Sequence, residues 1–335
     1  MNPFDDPSVP QQPKEPETPE SEQQALDDLA ARIVVHPPDP EAPISIDPNA
    51  FIASPPAPPP EVPFLPDDLR ISWSWLHLLF FGLFTFGTLL LIQITVVIYF
   101  AAGQHLTQKQ MEEIFQTKPG VAVGSNVLWF FLVFLFLYIT LAVLHDRPFW
   151  PTLGWKKLSP AAPAPSNPWA YFAGGIGLAI CVAIATSRMK TPEHLPIQDL
   201  FKNRTGAMLL MAMAVLVAPL IEETVFRGYL YPLFASSFSR AAMKFGGDPA
   251  SALRTGTALG IALTGTLFGL LHGAQLGWTW GLVAMLVTVG IIFTFARARA
   301  GTVLASFLLH LGYNSLIAFS AIVSTRGFTQ MPPHP

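Results

Sequence analysis

The chain has 335 residues, 51% of them apolar and 12% charged, with a net charge of −3. Long uninterrupted apolar runs in so lightly charged a sequence exclude a soluble enzyme and place it in the polytopic membrane class. The small total hides two unlike parts: residues 1–70 hold fourteen acidic residues against three basic ones, and residues 71–335 hold sixteen basic against eight acidic.

Residues 1–70 are rich in proline and nearly free of aromatics, so they bury too little apolar surface to offset chain entropy, and a disordered tail is expected. The opening MNPFDDPSVPQQPKEPETPE has neither the basic nor the apolar region of a cleaved signal, which leaves the first membrane helix as the expected targeting signal. Within the tail, SEQQALDDLAARIVV begins with a Ser21–Gln24 capping box and sets Leu26, Leu29, Ala30 and Ile33 at helical spacing, the pattern of a transient or docking helix. PPAPPPEVPFLP, residues 55–66, favours an extended polyproline spacer, with an aromatic groove on a protein partner as its other use.

From Trp73 onward the apolar runs reach the roughly 20 residues that cross a hydrocarbon core as a helix. Seven are predicted, near 75–102, 121–144, 169–187, 206–234, 255–273, 278–296 and 301–323. The expected fold is therefore all-α, a transmembrane helix bundle of about seven spans, or eight. Trp73, Trp75, Trp150, Trp155, Trp169 and Trp278 fall at or near segment ends, where amphipathic rings favour the headgroup level. Cys181 is the lone cysteine, so there is no disulfide framework, and its thiol is expected to be an inert packing group.

The segment 206–234 is unusual. As one helix it would run about 43 Å, too long for a perpendicular crossing, and a break at Pro219 is expected. Its spanning part should lie before Glu222, with an amphipathic piece after Arg227 leaving along the interface and carrying Arg240 and Lys244 near the headgroups. With the tail inside, nine basic residues lie in inner loops and seven in outer ones. That bias is slight, but a long tail is easier to leave in place than to translocate, so a cytoplasmic N-terminus in the cell membrane is expected.

Three short stretches carry chemistry. IEETVFRG, residues 221–228, sets Glu222, Glu223 and Arg227 beside a run apolar enough for lipid, and an intramembrane carboxylate is by default a functional group. TGTLFGLLHGAQLG repeats Gly265, Gly269 and Gly273 every four residues, a ridge that admits a close neighbour helix, with Phe268 and His272 beside it. His272 alone also reads as a helix-end histidine bonded to a carbonyl. SFLLHLGYNSLIAF puts His310 and Asn314 on one helical face, where each alone could be no more than helix glue.

Buried polar groups must find partners, and so few in one bundle are expected to find each other. A carboxylate withdrawn from bulk water can accept and return a proton near neutral pH, which makes Glu222 the candidate base for a water. Glu223 precedes Arg227 by four residues, the favourable order for a helical ion pair, so it should neutralise and orient. His272 can help orient the water, and His310 and Asn314 can aim donors at the oxyanion formed when water adds to a peptide carbonyl. Two histidines and a carboxylate are also a zinc donor set, although no HExxH helix is present, so a zinc metalloendopeptidase and a metal-free site both stay open.

EETVFR, FGLLH and HLGYN, with Glu222, Glu223, Arg227, Phe268, His272, His310 and Asn314 at their fixed positions, resemble in order the EExxxR, FxxxH and HxxxN motifs of the CaaX protease and bacteriocin-processing family. This is also called the Abi or type II CaaX endopeptidase family. The resemblance covers roughly residues 165–325, leaving the tail (1–70) and the first two helices (71–145) outside it. It implies an intramembrane glutamate protease with Glu222 catalytic, His272, His310 and Asn314 completing the site, and Glu223, Arg227 and Phe268 in support. The expected partners are a peptide or membrane-protein substrate and the lipid bilayer, not nucleic acid, and whether a prenylated CaaX substrate is used stays open. A proton-coupled transporter or a non-catalytic scaffold would use the same buried polar residues.

One depth estimate opposes convergence: His310 lies about 13 Å into its helix and His272 about 25 Å from the same side. Tilt, a later start to the fifth helix or a miscounted span would reconcile them.

Overall fold

The computed structural model describes residues 64–104, 118–189 and 204–329. Every described residue belongs to one compact unit, Val62–Pro335. The Ser21 capping box and nearly all of the proline-rich tail lie outside the described residues. The last seven residues of the expected tail do not. Asp67–Leu69 form a 3-10 turn, and Leu65 and Leu69 are buried in a cluster with Tyr231 and Ala235. Those two leucines give this end of the tail an apolar anchor.

Among the described residues all regular structure is helical. α1 (Trp75–Gln104) packs on α2 (Pro119–Leu137), which continues through a π-helical stretch, Tyr138–Val143, toward the short α3 (Phe149–Thr152). α4 (Pro168–Thr186) follows. Residues 204–244 then form one long rod: α5 (Arg204–Ala212), a π-helical stretch Met213–Val217, α6 (Ala218–Glu223), a second π-helical stretch Thr224–Leu230, and α7 (Tyr231–Lys244). α8 (Pro249–Leu271), α9 (Trp280–Ala300) and α10 (Val303–Ser324) complete the bundle, with α7 against α8, α8 against α9 and α4 against α10.

All seven expected segments are helices, and six helical segments are long and apolar enough to cross a membrane. The seventh, α8, has the length but carries Ser251, Arg254 and several threonines and glycines. The apolar side chains face outward: Leu83, Phe86 and Leu91 on α1 are 60–64% exposed. Such a surface is what lipid solvates, and closed helical hydrogen bonding is what lipid requires of the backbone, so this is an integral membrane protein.

Three expectations are corrected. Pro219 does not break the rod: the helix runs through it by way of a π-helical turn, and the carbonyl that the proline leaves without a donor is bonded from another helix. α7 does not leave along the interface. Tyr231, Leu233, Phe234 and Ala235 are buried, and α8 offers a small-residue face on which a Cβ at Gly260 would stand only 2.9 Å from Ala235. Cys181 is exposed on α4 rather than packed inside.

The depth conflict also resolves, though not by a later start. α8 begins at Pro249, so His272 stands about 35 Å from its start, against about 11 Å for His310 in α10. Both nevertheless reach the same glutamate, at 3.9 and 3.8 Å. The α7–α8 hairpin therefore starts outside the level at which α10 starts, as its Ser237, Arg240, Lys244, Ser251 and Arg254 permit.

Candidate active site

The site is built on the rod. In a π-helical turn each N–H reaches five residues back, as Ala218 N does to the carbonyl of Met213. The next donor in that register would serve Ala214, but it belongs to Pro219, which has no N–H. Asn314 fills the gap: its Nδ2 donates to the Ala214 carbonyl at 2.7 Å. Asn314 thus ties α10 to the rod about two turns before Glu222 and also lines the cavity described below.

Asn314→Ala is expected to orphan that carbonyl and to lower stability by about 1–3 kcal/mol. Adding Pro219→Ala supplies an N–H and should restore part of the loss. Thermal unfolding of the purified variants would check this, and an unimproved double variant would show that another contact is lost.

Glu223 and Arg227 are fully buried and paired, Arg227 Nη1 donating to Glu223 Oε1 at 3.0 Å. The other guanidinium donors are also engaged, Nη2 with the Gly290 carbonyl at 3.0 Å and Nε with Thr294 Oγ1 at 3.3 Å. The cation lies 4.4 Å from the ring centre of Phe268, with Phe226 and Phe293 also close. The expected helical ion pair is present, with a donor set closed by α9.

Glu223 Oε1 takes a further bond, from Nδ1 of His310 at 2.9 Å. A carboxylate paired with arginine only accepts, so this ring carries its proton on Nδ1, and in the neutral imidazole Nε2 presents a lone pair. That Nε2 is 3.8 Å from Glu222 Oε2. His272 caps α8 and is oriented in the same way: Nδ1 donates to the Phe268 carbonyl at 2.7 Å, and Nε2 faces Glu222 Oε1 at 3.9 Å. Both readings of His272 hold at once, because the carbonyl bond is what turns the free nitrogen to the glutamate. Phe268 spaces the rings, its centre 4.7 Å from that of His272 and 5.9 Å from that of His310.

Glu222 itself is 20% exposed and has no direct hydrogen-bond partner among the described residues. It opens on a cavity of ≈ 790 Å³ whose lining also includes Phe268, His272, His310, Tyr313 and Asn314. Contacts of 3.8–3.9 Å are too long for hydrogen bonds and suit a single water between the carboxylate and an imidazole.

Several participants were missed in the sequence. Gly290 and Thr294 hold Arg227, and Asn126 of α2 lines the cavity, although α1 and α2 fall outside the motif-bearing region. A lone threonine or asparagine in an apolar helix is too common to signal a site. The glycine ridge was a usable signal in part. A Cβ at Gly265 or Gly269 would come within 2.5 Å of Ile291 or Val287, so α9 lies tight against α8 and brings Gly290 to Arg227. Gly273, in contrast, packs on Trp278 of its own turn.

Fold and site together define a polytopic membrane protein with a buried glutamate, arginine and histidine network beneath a second glutamate that faces a cavity. Residues 204–316 match the family described as Type II CAAX prenyl endopeptidase Rce1-like, the same family that the three motifs resemble. The matched stretch contains every residue from Glu222 to Asn314. No curated protein and no solved structure matched the chain.

Proposed function

We propose that this protein is an intramembrane endopeptidase that hydrolyses a peptide bond with a water held by Glu222 between His272 and His310. The observation that carries the reading is the shared aim of two imidazole Nε2 atoms at one cavity-facing carboxylate. Glu222 takes a proton as the water oxygen bonds to the peptide carbonyl carbon. The oxyanion would meet the remaining N–H of Asn314 and the Nε2–H of His310 when that ring is doubly protonated. Collapse breaks the C–N bond, the proton on Glu222 passes to the leaving nitrogen, and the products are a carboxylic acid and an amine, which become carboxylate and ammonium when the acid gives its proton to the amine. Glu223, countered by Arg227, holds the His310 ring throughout.

The cavity walls near Glu222 include Leu210, Met211, Met213, Leu282, Met285 and Leu286. Such a wall suits an apolar segment of a membrane-bound peptide, and it would also accept the prenyl chain that the family's description names. In this reading the core lies within 165–325, the N-terminus is cytoplasmic and the membrane is the cell membrane.

Zinc is the competing occupant. The donor types suit it, but the nitrogen-to-carboxylate separations of 3.8–3.9 Å exceed the roughly 3.3 Å between ligands of a tetrahedral zinc. Among the described residues no three His, Cys, Asp or Glu side chains are grouped to hold a metal. As placed, the residues do not fit the ion, and no step is assigned to it.

The test is a peptide library in liposomes containing the purified protein, run in oxygen-18 water. One labelled oxygen is expected in each new C-terminal carboxylate, and cleavage should persist after treatment with a membrane-permeant chelator. Glu222-dependent substrate flux without a cleaved product would favour a transporter. Activity abolished by the chelator and restored by zinc would assign the water to a metal.

A further inference from the structure

At the end of the bundle where α1, α3 and α10 begin and α9 ends lies a second crevice, of ≈ 430 Å³. It shares no lining residue with the cavity of Glu222. Its lining holds five basic side chains, Arg70, Arg147, Lys156, Arg240 and Arg297, against two acidic ones, Asp67 and Asp68. Both acids are engaged, Asp67 with Arg70 and Asp68 with Arg297, the latter at 3.0 Å. Arg147, Lys156 and Arg240 are exposed and have no acidic partner among the described residues. Three cations with no acidic partner among the described residues therefore share one concave site, where a low-dielectric wall strengthens their mutual repulsion and their pull on an anion.

A second observation points the same way. Arg297 is only 1% exposed, yet its buried Nε has no hydrogen-bond partner among the described residues. One amino group serves Asp68, and the face of the guanidinium rests near Tyr231. Gly154 at φ +78° lets the chain pass against it; a Cβ there would stand 2.8 Å from Nη2. The neighbouring backbone is fixed as well, since Thr302 Oγ1 bonds both the N–H and the carbonyl of Lys156. The fold thus fixes the Arg297 guanidinium and the backbone that carries Lys156. Trp73 lies in the lining, and Trp75, Trp150 and Trp155 stand nearby in the chain, the aromatic signature of the headgroup level.

We propose that this crevice binds a phosphate-bearing anion at the membrane surface, with Arg147, Lys156 and Arg240 supplying the charge and Arg297 the buried floor. The phosphate can belong to an anionic lipid headgroup or be free in solution; the recognition chemistry is the same. Basic pockets between membrane helices take lipid phosphates in this way.

The test uses the full chain purified in zwitterionic detergent, with the triple variant R147Q/K156Q/R240Q as comparison. None of the three belongs to the proposed catalytic machinery, and all three are exposed, so the variant is expected to keep the wild-type unfolding temperature without added anion. In one arm the protein is reconstituted with vesicles of phosphatidylcholine and phosphatidylglycerol, re-extracted, and the retained lipid measured by mass spectrometry. In the other, inorganic phosphate is titrated against thermal unfolding. At about a fivefold loss per basic residue, the triple variant should bind on the order of a hundredfold more weakly. Selective retention of phosphatidylglycerol by the wild type identifies the headgroup as the source, and stabilisation by phosphate alone identifies the free anion. The charge-preserving R147K/R240K variant should bind like the wild type, which separates lost charge from damaged structure. Equal lipid retention and equal phosphate response in wild type and triple variant would overturn the site, whatever the fate of the peptidase reading.

Discussion

Glu222→Gln is expected to lower the turnover of a cleavable peptide by about 10²–10⁴-fold, the range typical of a lost general base. The fold should survive the change. Glu222 makes no contact shorter than 3.8 Å to either histidine, and its side chain opens on the cavity. Glutamine keeps the shape and can still hold a water, but it cannot accept the proton and return it to the leaving nitrogen. The loss should therefore fall on kcat, with KM little changed. The unfolding free energy should stay within about 0.5 kcal/mol of the wild type, as for a substitution that breaks no buried contact. Peptide cleavage and unfolding measured on one preparation would check both halves. Equal turnover by the variant would remove Glu222 as the base, and a collapsed fold would mean that the carboxylate is structural.

The residues that converge were legible in the sequence for a simple reason. In apolar helices ionisable groups are few, and each must be satisfied within the bundle. Glu222, Glu223, Arg227, His272 and His310 therefore had few partners but one another, and the fold pairs them so. What could not be read was anything that depends on backbone register. Asn314 pointed to an oxyanion donor, but the partner that the structure gives it is a carbonyl that Pro219 leaves bare. That follows only once the turn before the proline is known to be π-helical. The burial of α7 was hidden because Arg240 and Lys244 mark its pattern as that of an interfacial piece. The small residues of α8 that cover it, Gly256 and Gly260, lie one helix further on. Gly290 was silent for a related reason, since it contributes a backbone carbonyl, a group that every residue has.

The second large effect concerns the ion pair behind the site. Arg227→Met is expected to lower the stability of the folded protein by about 3–5 kcal/mol, because it leaves the Glu223 charge buried with no cation to balance it and only the weaker support of His310 and Ser306 among the described residues. The Gly290 carbonyl and Thr294 lose a donor at the same time, and the rings of Phe268, Phe226 and Phe293 lose a cation. Methionine keeps much of the volume, so a cavity contributes little. Glu223→Gln alone should cost less than Arg227→Met. The amide oxygen can still accept from His310 Nδ1 and from the guanidinium, although the arginine keeps an uncompensated charge. The double variant is the informative one, since removing both charges removes the desolvation cost of each. It should be more stable than the sum of the two single effects predicts, by about 1–3 kcal/mol of coupling. Denaturant unfolding in detergent across all four proteins gives that coupling directly. The double variant also still holds the His310 ring through the Gln oxygen, so it should retain more cleavage than Arg227→Met measured at a temperature where both are folded. Strict additivity of the two single costs would mean that Glu223 and Arg227 are each stabilised by other neighbours, and that the pair is not the element holding His310 toward Glu222.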